Sequence, residues 1–393
     1  MNRRNWLVLA ATALIAVGAG PALAQDTVKI GVTLGLTGPL QIIGTEALAG
    51  MRLYMAEHGD TVAGKKIELI VRDDGAVAEN AKRIAQELIV RDKVNILAGF
   101  TVTPTALAVA PLATEAKIPM VVVNAGTSII TERSPYIART SFTLPQSSAV
   151  IAEWALKNGI KKVVSVVSDY GPGIDAETSF KEAFTKGGGE VIEAVRAPLA
   201  SPDFAPFLQR ARDANPQAVF VFVPSGQAAT FVKQFIERGI EKSGIKLIGP
   251  GDVTDDAQLN GMGDQIIGTV TAHLYSTYHP SAMNKKFVAA FEKANPGLRP
   301  NFTAVSGYDG MHLIYEALKK TGGDTNSDKL IAAMKGMAWE SPRGPISIDP
   351  ETRDIIQNIY IRRVEKKDGE LYNVEFDTFE AVKDPVKAKK KGS

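Results

Sequence analysis

Two short stretches of small and hydroxyl-bearing residues carry the chemistry this chain could do. One is Thr101-Val102-Thr103-Pro104-Thr105, the other Asn124-Ala125-Gly126-Thr127-Ser128. Thr103-Pro104 reads as a helix start, with Thr able to cap free backbone N–H groups and Pro suited to the first helical position. Unpaired N–H groups and the positive end of a helix dipole favour an anion, so a hydroxyl beside them makes a receptor for a carboxylate. The second stretch adds more N–H groups and hydroxyls. Either stretch alone is also an ordinary strand-to-helix turn. Two of them flanking one helix point to a site.

Groups for bond-making chemistry do not assemble. Gly31, Gly35 and Gly38 follow a strand but do not form G-x-G-x-x-G, and no G-x-x-x-x-G-K-[ST] occurs. His58, His273, His279 and His312 lack zinc-site spacing. Ser225 follows a strand in Val223-Pro224-Ser225-Gly226-Gln227, which lacks the glycines of a nucleophile elbow. Asp73-Asp74 and Asp255-Asp256 sit where acids usually cap helices. With 0 cysteines there is no disulfide, no thiolate metal site and no lipid-attachment cysteine. No cofactor is expected.

The elements around these stretches alternate. Val94–Ala98 and Met120–Val123 read as buried strands on either side of the helix that begins at Thr103. VKIGVTL and KIELIVRDD are further strands, with helical spacing over Glu46–His58 and Asn80–Arg91. After a pause near Tyr136–Thr143 the alternation resumes through helix Ser147–Asn158 and strand Val163–Ser168 to strand Ile267–Tyr275. Strands joined by helices require parallel sheets covered on both faces. The expected class is α/β, with two doubly wound lobes and loops gathered at the carboxyl edges of the strands. Helices at 282–335 have no strands between them, so they are expected to layer onto the existing lobes. A β-rich stretch follows, and the lysine-rich end reads as a disordered, solvated tail.

Length and charge narrow the class. The 393 residues suffice for two domains. Arg3 and Arg4, the apolar run Leu7–Val17 and Ala22-Leu23-Ala24 form a secretory signal, expected to be cleaved after residue 24. The 45 basic residues include Arg3 and Arg4, so the mature remainder matches the 43 acidic ones. That balance argues against nucleic acid or an anionic membrane as partner. The expectation is a free, non-lipidated extracytoplasmic protein that binds rather than converts its ligand.

The stretches KIGVTLGLTGP, IELIVRDD, NILAGFTVTPTALAVAPLATEAKIPMVV, SDYGPG, LIGPGDVTDD and SGYDGMHLIYEAL resemble the periplasmic solute-binding proteins of ABC importers, in the leucine/isoleucine/valine-binding family. The resemblance covers nearly all of the mature chain. It implies two lobes of the periplasmic binding protein type I, joined by three crossovers near Thr140–Thr143, Tyr275–Thr277 and Ser341–Gly344. Residues 25–142 and 276–342 would form the first lobe, 143–275 and 343–380 the second, and 381–393 the tail. Ligand would be captured by hinge closure, a motion for which periplasmic binding proteins are a standing example. An inner-membrane ABC permease would be the partner, and a monomer is expected.

The same resemblance implies hydroxyl contacts to a ligand carboxylate from Thr103 and Thr127, a backbone carbonyl at Ala125 for a ligand ammonium, and closure of Tyr170 over the ligand. It also shows departures. A tyrosine of the amino-acid binders is replaced near Ile43. The glutamate that pairs with the ammonium falls at Gly251-Asp252, shifted by one residue. Pro224-Ser225 stands where a tyrosine is expected. An unpaired buried ammonium is costly, so these departures weaken an α-amino-acid reading.

VPSGQ, GPGDVTDD, TAHLYS and SPRGPISIDPETRD are similar to the branch associated with aromatic acids. For a benzoate or cinnamate derivative, Thr103 and Thr127 would hold the carboxylate. Ile43, Phe100, Tyr170 and Tyr275 would line a slot for the ring, and Ser225, Asp252 or Gln41 would take ring hydroxyls. The alternatives are a branched-chain amino acid, a hydrolase or amidase working through Ser225 and Asp252, and a sensory module presenting ligand to a receptor.

Overall fold

A computed structural model describes residues 27–200 and 203–392. The expected signal lies outside them. Among the described residues no helix is long and apolar enough to cross a membrane.

The first lobe alternates as β1 (Thr27–Leu34), α1 (Gln41–His58), β2 (Thr61–Val62), β3 (Lys65–Asp73), α2 (Ala78–Val90), β4 (Ile96–Gly99), α3 (Thr103–Glu115), β5 (Met120–Val122) and β6 (Ile137–Arg139). Its sheet runs β2-β3-β1-β4-β5-β6. Every pair is parallel except the short β2–β3. The strands β4 and β5 are buried along their whole length, as expected of central parallel strands with helices on both faces.

The second lobe continues with α4 (Leu144–Lys157), β7 (Lys162–Ser168), α5 (Gly171–Lys186), β8 (Glu190–Ala197), α6 (Ala205–Asp213), β9 (Ala218–Phe222), α7 (Ser225–Glu237), β10 (Lys246–Pro250) and β11 (Val270–His273). Helices α8 (Ala282–Ala294), α9 (Phe302–Lys320) and α10 (Ser327–Met334) follow, then β12 (Ala338–Ser341), β13 (Gly344–Ile348), β14 (Ile355–Lys367), β15 (Glu370–Val382) and α11 (Pro385–Gly392). The second sheet runs β12-β13-β14-β11-β10-β9-β7-β8, with β15 beside β14.

Helix α9 returns to the first lobe and locks onto α1 in both directions. A Cβ on Gly50 would lie 1.9 Å from the Ala304 carbonyl oxygen, and one on Gly307 would lie 2.2 Å from that of Ala47. Only residues without a side chain let the two backbones approach this closely.

The crossovers run side by side around buried arginines. Arg343 donates to the carbonyls of Thr140 and Ser141 and pairs with Asp309 of α9 at 2.9 Å. Thr140 Oγ1 donates to the Ser306 carbonyl. The third crossing comes earlier in the chain than Ser341–Gly344, because β12 already pairs with β13 in the second sheet from Ala338 onward. Trp339 and Ser341 still reach back to Asp309.

Two local expectations change. Helix α1 begins at Gln41 rather than Glu46, so Gln41 and Ile43 belong to its first turn. The lysine-rich end is not a free tail: residues 385–392 form α11, and Lys387 is buried against Asp354. A run of lysines looks solvated in sequence because the acids that receive it come from distant segments.

Candidate functional site

Both hydroxyl-bearing stretches reach the cleft between the lobes. Thr103 and Thr127 are buried, and their Oγ1 atoms lie 2.7 Å apart, with either able to donate. Thr103 does not cap α3. The cap position is Val102, whose side chain cannot accept; Pro104 has no N–H and the Thr105 N–H donates to the Val102 carbonyl at 3.1 Å, so the helix start offers an anion the Thr103 N–H and the dipole. Helix α5 starts at Gly171 with Tyr170 as an equally uncapped N-cap, and a Cβ on Gly171 would sit 2.9 Å from Thr127 Oγ1. Two helix N-termini, one from each lobe, thus converge on the threonine pair. That arrangement suits an anion.

A small cleft cavity of about 20 Å³ adjoins this pair, the lobes standing close enough here to leave it nearly shut. Ile43, Phe142, Leu144, Phe222 and Pro224 give it apolar walls, and Thr103, Tyr170 and Asp252 bring polar atoms. Tyr170 and Phe222 stack with ring centroids 6.2 Å apart and planes 22° from parallel. One flat wall therefore stands ready for a ring.

Asp252 supplies a carboxyl on this wall. It is buried, and its Oδ2 has no hydrogen-bond partner. Burial, followed by the charge of Asp255, pushes its carboxyl up to about 8. At neutral pH it is therefore mostly protonated and can donate a hydrogen bond. Asp255 behind it is raised to about 6, chiefly by burial, and accepts from Asn301 Nδ2 at 3.0 Å.

Ala125 lines the cavity, but its carbonyl oxygen already accepts from Arg139 at 3.1 Å. The same buried guanidinium donates to the carbonyls of Phe142 at 3.0 Å and Thr127 at 2.9 Å. An ammonium brought to Ala125 would meet that fixed positive charge.

Five of the residues expected at the ligand are not on the cavity wall, and one of them, Thr127, reaches it through its hydrogen bond to Thr103. Gln41 is exposed at the start of α1. Phe100 is buried in a core cluster with Ala106 and Ala125, in a left-handed backbone conformation (φ 72°). Tyr275 is fully buried and donates to Asn284 Oδ1 at 2.9 Å, tying down the second crossover. Ser225 is buried in the first turn of α7, and Pro224 rather than Ser225 faces the cavity. Phe142, Leu144, Phe222 and Arg139 are not marked out by the sequence pattern. Phe222 carries the clearest signal of the four, as a bulky aromatic at the carboxyl end of a wholly buried strand.

The lobes meet across the cleft. Ser128 N–H of the first lobe donates to the Asp175 carboxylate of the second at 2.8 Å. Fold and site together define a two-lobed ligand-binding protein closed around a small anion-accepting cavity.

The chain belongs to the periplasmic binding protein family, whose pattern matches residues 27–370. It is 48% identical to a Leu/Ile/Val-binding protein homolog of Brucella melitensis, over 96% of this chain and 98% of that one. A solute-binding protein of an ABC transporter from Rhodopseudomonas palustris BisB5, solved with 3,4-dihydroxybenzoic acid, is 66% identical. It superposes with a TM-score of 0.91, covering 92% of this chain and 99% of that one. Another from R. palustris, solved with 4-hydroxybenzoate, is 46% identical with a TM-score of 0.90, covering 93% and 100%.

Proposed function

We propose that this protein is the periplasmic substrate-binding component of an ABC importer and captures a hydroxylated aromatic carboxylate by hinge closure. The observation that carries the reading is the 66% identical R. palustris protein with 3,4-dihydroxybenzoic acid bound. The site supports it independently. Thr103, Thr127 and the two helix starts receive the carboxylate, the Tyr170–Phe222 wall and Ile43 take the ring, and protonated Asp252 meets a ring hydroxyl.

The protein is secreted without a lipid anchor, acts as a monomer and hands its ligand to an inner-membrane permease. Its role is binding without catalysis: Ser225 is buried in the first turn of α7 behind Pro224, so its hydroxyl is not presented to a ligand in the cavity. The second reading, a branched-chain amino acid, draws on relatives called Leu/Ile/Val-binding homologues. Arg139 on the Ala125 carbonyl weighs against it.

A thermal-shift screen of the mature protein with hydroxybenzoates, cinnamates, branched-chain amino acids and uncharged analogues tests the proposal. A ligand at 100 times its Kd stabilises by about 2.7 kcal/mol. Shifts by hydroxybenzoates but not by their amides support it. Shifts by leucine or valine alone overturn it.

A further inference from the structure

We propose that the C-terminal helix α11 is a working part of the ligand site, with Lys387 as a positioning residue for the loop that receives the ligand carboxylate. The inference rests on the carboxylate reading above.

The path is short and buried. Lys387, a residue only 4% exposed, donates through Nζ to Asp354 Oδ2 and to Thr131 Oγ1. The other Asp354 oxygen lies 2.8 Å from Arg139 Nε, as a close ion pair. Arg139 in turn holds the Ala125 and Thr127 carbonyls. In a trans peptide the N–H points opposite to the carbonyl of the same unit. Turning the Ala125 carbonyl onto Arg139 therefore turns the Gly126 N–H away from it, and Gly126 lines the cavity. Turning the Thr127 carbonyl likewise aims the Ser128 N–H at Asp175 of the second lobe. Arg139 thus sets the polarity of two peptides, one for the ligand and one for closure.

Lys387 fixes which way the Asp354 carboxylate faces. With Oδ2 held by Lys387 and Thr131, only Oδ1 is left for Arg139. Loss of the ammonium leaves Oδ2 held by the Thr131 hydroxyl alone, at 3.3 Å, so the carboxylate can rotate and draw the guanidinium off the loop carbonyls. The rest of α11 spans both lobes: Lys389 pairs with Glu182 of α5, and Lys390 with Glu132 of the first lobe at 2.9 Å. The helix keeps both sets of contacts only when the lobes are together.

The test is calorimetric titration of the full mature chain with the aromatic acid giving the largest thermal shift. Wild type, Lys387→Met, Lys387→Arg, Thr127→Val and the Lys387→Met/Thr127→Val double variant are compared. Lys387→Met should weaken binding about 10-fold, the scale of one misaimed hydrogen bond to a charged group. Lys387→Arg should recover most of it. In the Thr127→Val background the further loss should shrink below about 3-fold, because both changes act on one loop.

Unchanged affinity in Lys387→Met, or losses that multiply in the double variant, would overturn the proposal. So would a Lys387→Arg variant that recovers the ligand-free melting point without recovering affinity, since α11 would then serve folding alone. Should wild type bind a branched-chain amino acid instead, the functional reading fails. The same cycle with that ligand, also a carboxylate, then judges α11 separately.

Discussion

Gly226, at the start of α7 in the second lobe, faces the carbonyl oxygen of Pro39 in the first so closely that an added Cβ would sit 2.4 Å from it. Gly171 meets Thr127 in the same way at the other end of the cleft. These two glycines set how near the lobes come. Neither has a left-handed backbone, so a methyl group is tolerated wherever the lobes stand apart.

Gly226→Ala should therefore leave the ligand-free protein folded and weaken ligand binding. Overpacking at a tight contact costs about 1–3 kcal/mol, which corresponds to roughly 5- to 150-fold in Kd. Titration calorimetry reads the affinity, and small-angle scattering reads whether ligand still contracts the molecule. Wild-type affinity with full contraction would show that closure does not depend on this contact.

Asp252 gives a pH dependence with a definite sign. Its carboxyl is raised to about 8, first by burial and then by Asp255, so it is neutral below that value and charged above it. A charge appearing beside the cavity repels an anionic ligand. Affinity for a hydroxybenzoate should hold between about pH 6 and 7 and fall as pH rises through about 8. Asp252→Asn keeps a donor and cannot ionise, so it should bind within about 3-fold of wild type and lose the pH dependence. A ligand carrying an ammonium would do the reverse and bind the Asn variant far more weakly.

Glu46 on α1 predicts an effect on stability. Both its carboxylate oxygens are buried without a hydrogen-bond partner, and burial followed by Asp255 raises its carboxyl well above the ordinary range. A carboxyl raised on folding takes up a proton, so the stability it contributes is complete below the unfolded value and is lost as pH rises toward the folded one. Glu46→Gln removes that loss. It should raise the melting temperature by a few degrees at about pH 7–8, from about 1–3 kcal/mol, and change little at about pH 4. A lower melting temperature at the alkaline end would count against the unpaired carboxyl.

The alternating apolar runs made both sheets legible, because a parallel strand covered on two faces must be apolar throughout, as in Ala218–Phe222. The helix start at Thr103 was legible from its Thr103-Pro104 pair, although Val102 rather than Thr103 takes the cap position. Arg139 was not. In sequence it is one arginine after Ile137-Ala138, and both its partner Asp354 and the Lys387 that holds Asp354 lie more than two hundred residues away. Phe100 and Tyr275 show the same limit from the other side. Both stand at strand ends, where a ring can face a cleft or a core, and only long-range packing decides between them. The start of α1 moved for a local reason, since Gly38 takes a left-handed turn that lets the helix begin at Gln41.

The paired glycines that lock α1 to α9 also dictate an order of assembly. Gly50 fits against Ala304, and Gly307 against Ala47, so the face of α1 remains bare until the chain is made beyond residue 307. Closing so long a loop is entropically unfavourable and slow compared with local contacts. The amino-terminal lobe therefore waits for α9 although its last strand ends at Arg139, and the second lobe waits longer still, for β12 to β15. A fragment ending at β11 would hold every strand of the first sheet and still lack the helix that finishes its core.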